Sequence, residues 1–367
     1  MKNQQEKIYQ IALNLIKGVG NKIFKQLIHH FGSAENVLHA QAKTIYNIPS
    51  IGKNLANEII KKNTIKQATE IYFKHQKHNI KIITYNDQDY PILFKNMPDS
   101  PSLLYYHGNK NLNKYKILSI VGTRKATTYG KKVVEKIIHE LKNENILIVS
   151  GLAYGIDIYA HQLALEYGLP TLGILASGLD TIYPYEHKNI VKKMILQGGI
   201  LSEYMLGIKP EIHHFPARNR IIAGISQATI VVEAQKKSGA LITAQLANDY
   251  NRDVFAVPGN LYDYFSTGCN YLIKTHQANI FTNIQDLFYI LNWSKNQSPQ
   301  VNKTINIHLN EIEKNVINNL KQYQILSIDE LHYKTNITIT KLSRILLNLQ
   351  LKTLVQSIPG KKFKLLF

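Results

Sequence analysis

The stretch KILSIVGTRKATTYGKKVVEKIIHELKNENILIVSGLAYGIDIYAHQLAL, residues 116–165, decides the fold. It opens on an apolar, β-branched run (116–122) and turns through Gly, Thr and Arg. A helical pattern near 128–144 follows, and then ILIVSG (146–151) and a second helical pattern over 155–168 repeat the cycle. Downstream the alternation continues with PTLGILAS (170–177), GILSEY (199–204), ATIVVEA (228–234), DVFAVPG (253–259) and a shorter NIFT (279–282). Helical patterns lie near 186–197, 216–225 and 239–251. Strands that are apolar throughout, separated by amphipathic helices, predict a parallel sheet covered on both faces. The expected fold class is α/β, a doubly wound parallel sheet over 116–294, with ligands beyond the carboxyl ends of its strands.

The regions on either side differ in charge. The 367 residues carry 44 Lys+Arg and 25 Asp+Glu, a net +19. Residues 1–115 hold 16 basic and 7 acidic side chains (+9), 116–294 hold 17 and 14 (+3), and 295–367 hold 11 and 4 (+7). Such an excess attracts a polyanion, whatever part of the Lys content reflects codon bias. Hydrophobic residues at 44% fit a globular chain, and the single cysteine, Cys269, excludes an internal disulfide framework. The polar start and the lack of a long apolar run predict no signal peptide and no membrane span, hence a cytoplasmic protein.

Residues 1–79 contain a weak repeat, LNLIKGVGNKIFKQLIHHF and TIYNIPSIGKNLANEII, with Gly20 aligned on Gly52. It resembles a pair of helix-hairpin-helix units in a small helical, SAM-like domain, whose Gly turns offer N–H groups to phosphate. The second copy departs by carrying Ser50 where the first has Gly18. The Tyr- and turn-rich stretch 80–115 reads as a connector with one or two short strands. Residues 295–304 read as a polar linker. In 305–367, three helical patterns precede a β-hairpin with Pro359-Gly360 at its turn, a winged-helix pattern with Ser327 and Thr338 as N-caps.

The strand ends carry the functional argument. They are Gly122-Thr123-Arg124, Ser150-Gly151 with Gly155, Gly178, Arg218-Asn219-Arg220, and Ser238-Gly239. Small residues there let a ligand approach the backbone, and helix N-termini then present donors to anionic oxygen. Three of the five arginines in a Lys-rich chain lie in these motifs, and planar guanidinium suits phosphate recognition. The structural alternative for Arg218 and Arg220 is pairing with Glu203 or Glu233. Tyr183 and Tyr185, followed by His187, Lys188, Lys192 and Lys193, supply aromatic and basic groups of the kind that hold stacked single-stranded bases. Asp157 reads as a helix cap that orients its loop.

Phosphate-chemistry signatures are missing. There is no GxxxxGK[ST], no GxGxxG after the first strand and no GxSxG, so neither a catalytic residue nor a cofactor is expected. The histidines are scattered and no HExxH or carboxylate cluster accompanies His213-His214, so no metal site is expected either.

Taken together, GTRKATTYG, VSGLAYGIDIYAHQLAL, ASGLDTIYPYEH, LSEY, FPARNRIIAGIS, VVEAQKKSGALITAQLA and VFAVPGN resemble, in order and spacing, the DprA/Smf family of DNA-processing proteins. The resemblance implies a Rossmann-like domain that binds single-stranded DNA, with the family's G-[ST]-R motif on Gly122, Thr123 and Arg124. It further implies a homodimer without known catalytic activity. The implied role is to protect incoming strands and load RecA recombinase on them during natural transformation. Two other classes stand beside it. One is a phosphoribohydrolase-like nucleotide enzyme, whose PGGxGTxxE signature is absent. The other is a general DNA-binding adaptor that binds through its basic ends.

Overall fold

The computed structural model describes residues 2–293, 310–352, 354–358 and 360–365; the expected linker over 295–304 and Pro359 lie outside these. The chain divides into two compact units, Met1–Asn296 and Gln297–Phe367.

The first unit is built on a nine-stranded sheet. Its strands are β1 (Lys81–Thr84), β2 (Leu103–Gly108), β3 (Lys116–Val121), β4 (Ile146–Ser150), β5 (Thr171–Ile174), β6 (Gly199–Ser202), β7 (Ala228–Val231), β8 (Asp253–Ala256) and β9 (Asn279–Ile280). The spatial order is β1-β2-β6-β5-β4-β3-β7-β8-β9. All neighbours from β6 to β9 pair in parallel, as the apolar runs predict, and β1 and β2 join antiparallel at one edge. Helices Thr128–Leu141, Ile156–Glu166, Lys188–Gln197, His214–Ile225 and Gly239–Asp249 make the crossovers. From β3 the chain winds outward through β4, β5 and β6, then returns to place β7 on the other side of β3. The crevice between the carboxyl ends of β3 and β7 is the topological switch point, where doubly wound sheets bind ligands.

Two expectations change here. The stretch 80–115 is part of the sheet and not a connector. Its β2 pairs with β6 from Tyr105 opposite Ser202 to Gly108 opposite Gly199, and Tyr90 is fully buried, its hydroxyl donating to the Pro101 carbonyl at 2.6 Å. The short strands expected in this stretch are present, but strands of four and six residues among turn residues carry too little periodicity to reveal that they join the large sheet. Nor do residues 1–79 keep a core of their own. Ile11, Leu13, Leu27 and Ile59 belong to one continuous apolar cluster with Ile82, Tyr105, Leu152 and Met194.

Both hairpin turns of the repeat adopt the same geometry. Gly18 and Ser50 have φ of 97° and 72°, and Gly20 and Gly52 are the N-caps of helices Asn21–Phe31 and Lys53–Ile60. The first turn faces the sheet. The Asn21 side chain accepts from Ser102 N at 2.8 Å and donates to Glu203 Oε1 at 3.0 Å, and Lys25 donates to Ser100. The second, with Ser50 in place of glycine, leaves Gly52, Lys53 and Asn54 exposed.

The second unit has helices Glu311–Tyr323, Ile328–Thr335 and Ile339–Leu351 with a small sheet of β10 (Ile325–Ser327), β11 (Val355–Ile358) and β12 (Lys362–Leu365). Ser327 caps its helix in a capping box with Glu330, while Thr338 occupies the N-cap position without a side-chain hydrogen bond. Val316, Leu320, Leu342 and Leu346 fill its core. Among the described residues no helix is long and apolar enough to cross a membrane.

Candidate nucleic-acid interface

At the switch point the loop after β3 is fastened from β7. Thr123 N donates to the Glu233 carbonyl at 2.7 Å, Thr127 N donates to Glu233 Oε2 at 3.0 Å, and the Thr127 hydroxyl donates to Glu233 Oε1. The buried Glu233 carboxylate therefore sits at the N-terminus of helix Thr128–Leu141, where the dipole and free donors favour an anion. A Cβ on Gly130 would run into this carboxylate. The anion expected at this helix is the protein's own.

The next helix repeats the arrangement. Asp157 lies in the first turn of Ile156–Glu166 but does not cap it, since the N-cap is Gly155 without a side-chain hydrogen bond; it accepts from Gly151 N at 3.1 Å and so orients the loop. Burial raises its carboxyl to about 6, against the opposing pull of Arg218 and of hydrogen bonds from the loop. Gly155 has φ of 78°, and a Cβ there would strike the Thr123 carbonyl, so only glycine lets the two loops cross.

Arg218, expected to bind phosphate, lies underneath these loops and is 7% exposed. Its Nη1 donates to the carbonyls of Gly151 and Ile174, and its Nε to Asn219 Oδ1 at 3.3 Å. Burial lowers its pKa to about 10 against the pull of Asp157. Arg220 is also turned inward: it donates to both carboxylate oxygens of Glu203 and to the Asp99 carbonyl. Arg220 thus takes the carboxylate pairing weighed against ligand binding, with Glu203, whereas Arg218 is buried on backbone carbonyls and meets neither Glu203 nor Glu233.

Four other expected residues are also spent internally. Ser150 is fully buried, donating to the Ile120 carbonyl at 2.6 Å. A Cβ on Gly122 would meet Ile156 at 2.6 Å, and one on Gly151 would meet the Arg218 guanidinium at 2.7 Å. Gly178 N donates to the Ile208 carbonyl at 2.9 Å. These small residues serve close packing under the lip.

The lip itself stays open. Arg124 is exposed and, among the described residues, meets no carboxylate or carbonyl. Its backbone crosses Gly155, next to Tyr154. Tyr154 is 44% exposed, its hydroxyl donating to Glu186 Oε2 at 2.9 Å and its ring standing edge-on to His187. Tyr183 is 51% exposed with its ring against Phe215, and Tyr185 is 72% exposed under the Lys188 ammonium at 5.4 Å. Lys192 follows one turn along the same helix, exposed.

Beyond β7, Gly239 is exposed at the start of helix Gly239–Asp249, which has no acid in its first turn. The Ser238 Oγ is buried, caps nothing and has no hydrogen-bond partner. Asn219 Nδ2 reaches the Gly239 carbonyl at 3.3 Å, and Lys236 and Lys237 stand exposed just before. Sequence reasoning missed Lys125, Tyr154, Lys236 and Lys237 as lip residues. The signal available for them was the recurrence of Tyr and Lys inside the same Gly-rich turns.

Residues 81–292 match the family described as DNA recombination-mediator protein A, and residues 305–361 match the DprA winged helix domain. The chain is 39% identical over 272 residues to Protein Smf of Synechocystis, covering 73% of this chain and 68% of that protein. It is 44% identical over 201 residues to DNA processing protein DprA of Streptococcus pneumoniae, covering 55% and 71%. The crystal structure of the S. pneumoniae protein superposes with a TM-score of 0.66 at 34% identity, over 78% of this chain and 97% of that one. A structure of DNA processing protein A from Helicobacter pylori, described for its single-stranded DNA binding mode, gives 0.52 at 33% identity, over 58% and 96%.

Proposed function

This chain belongs to the DNA recombination-mediator protein A (DprA/Smf) family, and from that premise we propose that it binds single-stranded DNA along the lip of its large sheet. The observation that carries the reading is the exposed side chain of Arg124, whose backbone crosses Gly155 next to exposed Tyr154, in a crevice whose other two arginines are locked inside. Arg124 holds a phosphate, Ser238 and the open start of helix Gly239–Asp249 hold another, and Tyr183 and Tyr185 stack bases, with Lys188 and Lys192 beside the backbone. The relative from H. pylori that binds single-stranded DNA supports the same ligand class here.

We read such a protein as acting between uptake and recombination. In this reading it is a cytoplasmic homodimer that shields incoming strands in natural transformation and delivers them to RecA recombinase, and it performs no catalytic step. Two lips on one dimer engage one long strand, so effective concentration raises affinity once the strand spans both.

Fluorescence anisotropy with the full chain tests this. Single strands should bind more tightly than duplex of equal length, with affinity rising steeply beyond a threshold length. Equal affinity for both forms at physiological salt would overturn the strand preference. A monomeric mass by light scattering at micromolar concentration would overturn the bridging. Pull-down of the host recombinase tests the RecA step separately.

A further inference from the structure

Between β6 and helix His214–Ile225 the chain makes a tight turn in which His214 N donates to the Glu211 carbonyl at 2.9 Å. That turn gathers three metal-binding side chains. One ligand atom each from Glu211, His213 and His214 lies within 4.8 Å of the others, and His213 Nδ1 stands 3.5 Å from Glu211 Oε2. No other group of three such side chains occurs among the described residues.

The three differ in freedom. His214 is 8% exposed, its ring held at 4.2 Å against Tyr204, and its buried Nδ1 has no hydrogen-bond partner. A buried, unpartnered imidazole nitrogen costs free energy that a Lewis acid accepting its lone pair would recover. Glu211 and His213 are solvent-exposed, with the His213 ring standing edge-on to His214 at 4.4 Å. Neutral imidazoles with a carboxylate form the ligand set of borderline divalent ions, and zinc, without a geometric preference of its own, best tolerates ligands drawn from one short turn.

We propose that Glu211, His213 and His214 form a zinc site that pins the turn leading into helix His214–Ile225. A tetrahedral zinc holds nitrogen and oxygen ligands at about 2.0–2.1 Å, which brings the ligand atoms to roughly 3.4 Å from one another. The Glu211–His213 pair is already near that spacing, so closure needs only rotation of two exposed side chains toward a fixed third. The next residue, Phe215, packs edge-on against Tyr183, so the ion would stiffen the support of one lip aromatic.

Equilibrium dialysis of the full chain against micromolar Zn2+ tests the site, with metal read by mass spectrometry. The expected result is one zinc per chain. His213→Ala and Glu211→Gln should each weaken binding about tenfold or more, since even second-shell partners of a ligand act on that scale. Both substitutions are at exposed positions, so the fold is preserved where His214→Ala would risk it. The exposed pair His29-His30 is the control: a His29→Ala/His30→Ala variant should keep its zinc. No uptake by the parent chain would overturn the site, as would equal uptake in the two ligand variants or loss of zinc in the control.

Discussion

The helices after β3 and β4 and the helix after β7 begin alike, each behind a Gly-rich turn at the carboxyl end of a parallel strand. They are finished differently. A buried Glu233 carboxylate holds Thr127, the N-cap of the first, and Asp157 sits in the first turn of the second, whereas the helix at Gly239 starts with no acid and an idle Ser238 hydroxyl. The arginines divide in the same way: Arg218 and Arg220 are consumed beneath the lip, and Arg124 is left above it. A helix N-terminus or a guanidinium becomes available to a ligand only where the fold has not already supplied its counter-charge. Charges under the lip hold the crevice in shape, and charges on it are left for the ligand.

The sharpest break of that division is Arg218→Met. It removes the donor to Gly151 and Ile174 and strands Asp157 as a buried carboxylate, so unfolding stability should fall by about 3–5 kcal/mol in denaturant titration at pH 8. The pH dependence carries a sign. The Asp157 carboxyl is raised to about 6 in the folded state from an ordinary value of 3.8. The native state therefore binds the extra proton between these values, and this group's contribution to stability grows as pH falls through 6 toward 4. Without Arg218 the carboxyl rises further, so the loss should be smaller at pH 5.5 than at pH 8. An equal loss at both would separate Asp157 from Arg218.

Arg124→Ala should do the reverse. Binding of single-stranded DNA should weaken by about 1.5–3 kcal/mol, the scale of a charge-assisted hydrogen bond. Stability should stay within about 0.5 kcal/mol, as for a surface position. Arg124→Lys should restore only part of the affinity, because the planar fork is lost. A stability loss comparable to that of Arg218→Met would erase the distinction between the two.

Tyr183→Ala and Tyr185→Ala should each cost about 1–3 kcal/mol of affinity for single strands and leave duplex binding nearly unchanged, since only unpaired bases offer a free face. The smallest effect belongs to Ser238→Ala. The hydroxyl has no partner in the free protein. Its removal should therefore leave stability level or slightly raised while affinity drops by about 0.5–1.5 kcal/mol. Reduced stability with unchanged affinity would place Ser238 with the buried set.

By itself the sequence determined the parallel sheet from β3 to β9, the crossover helices, the winged-helix pattern and the identity of the strand-end turns. These depend on local periodicity and on Gly and β-branched chemistry, which act within a few residues. It marked Arg124, Arg218 and Arg220 together and offered an internal partner as the alternative for the last two. Tertiary structure decided between the two roles, because the deciding partners are distant along the chain: Glu203 comes 17 residues before Arg220, and the Gly151 carbonyl 67 before Arg218. The same holds for Glu233, which reaches Thr127 across 106 residues to fill a helix start that looked open. Tyr105 and Tyr106, read as part of a connector, became sheet residues only through pairing with Ser202 and Leu201. Which backbone and charged groups remain for a ligand is a matter of what the fold has not used, and a partner from a distant part of the chain leaves no local trace in the sequence.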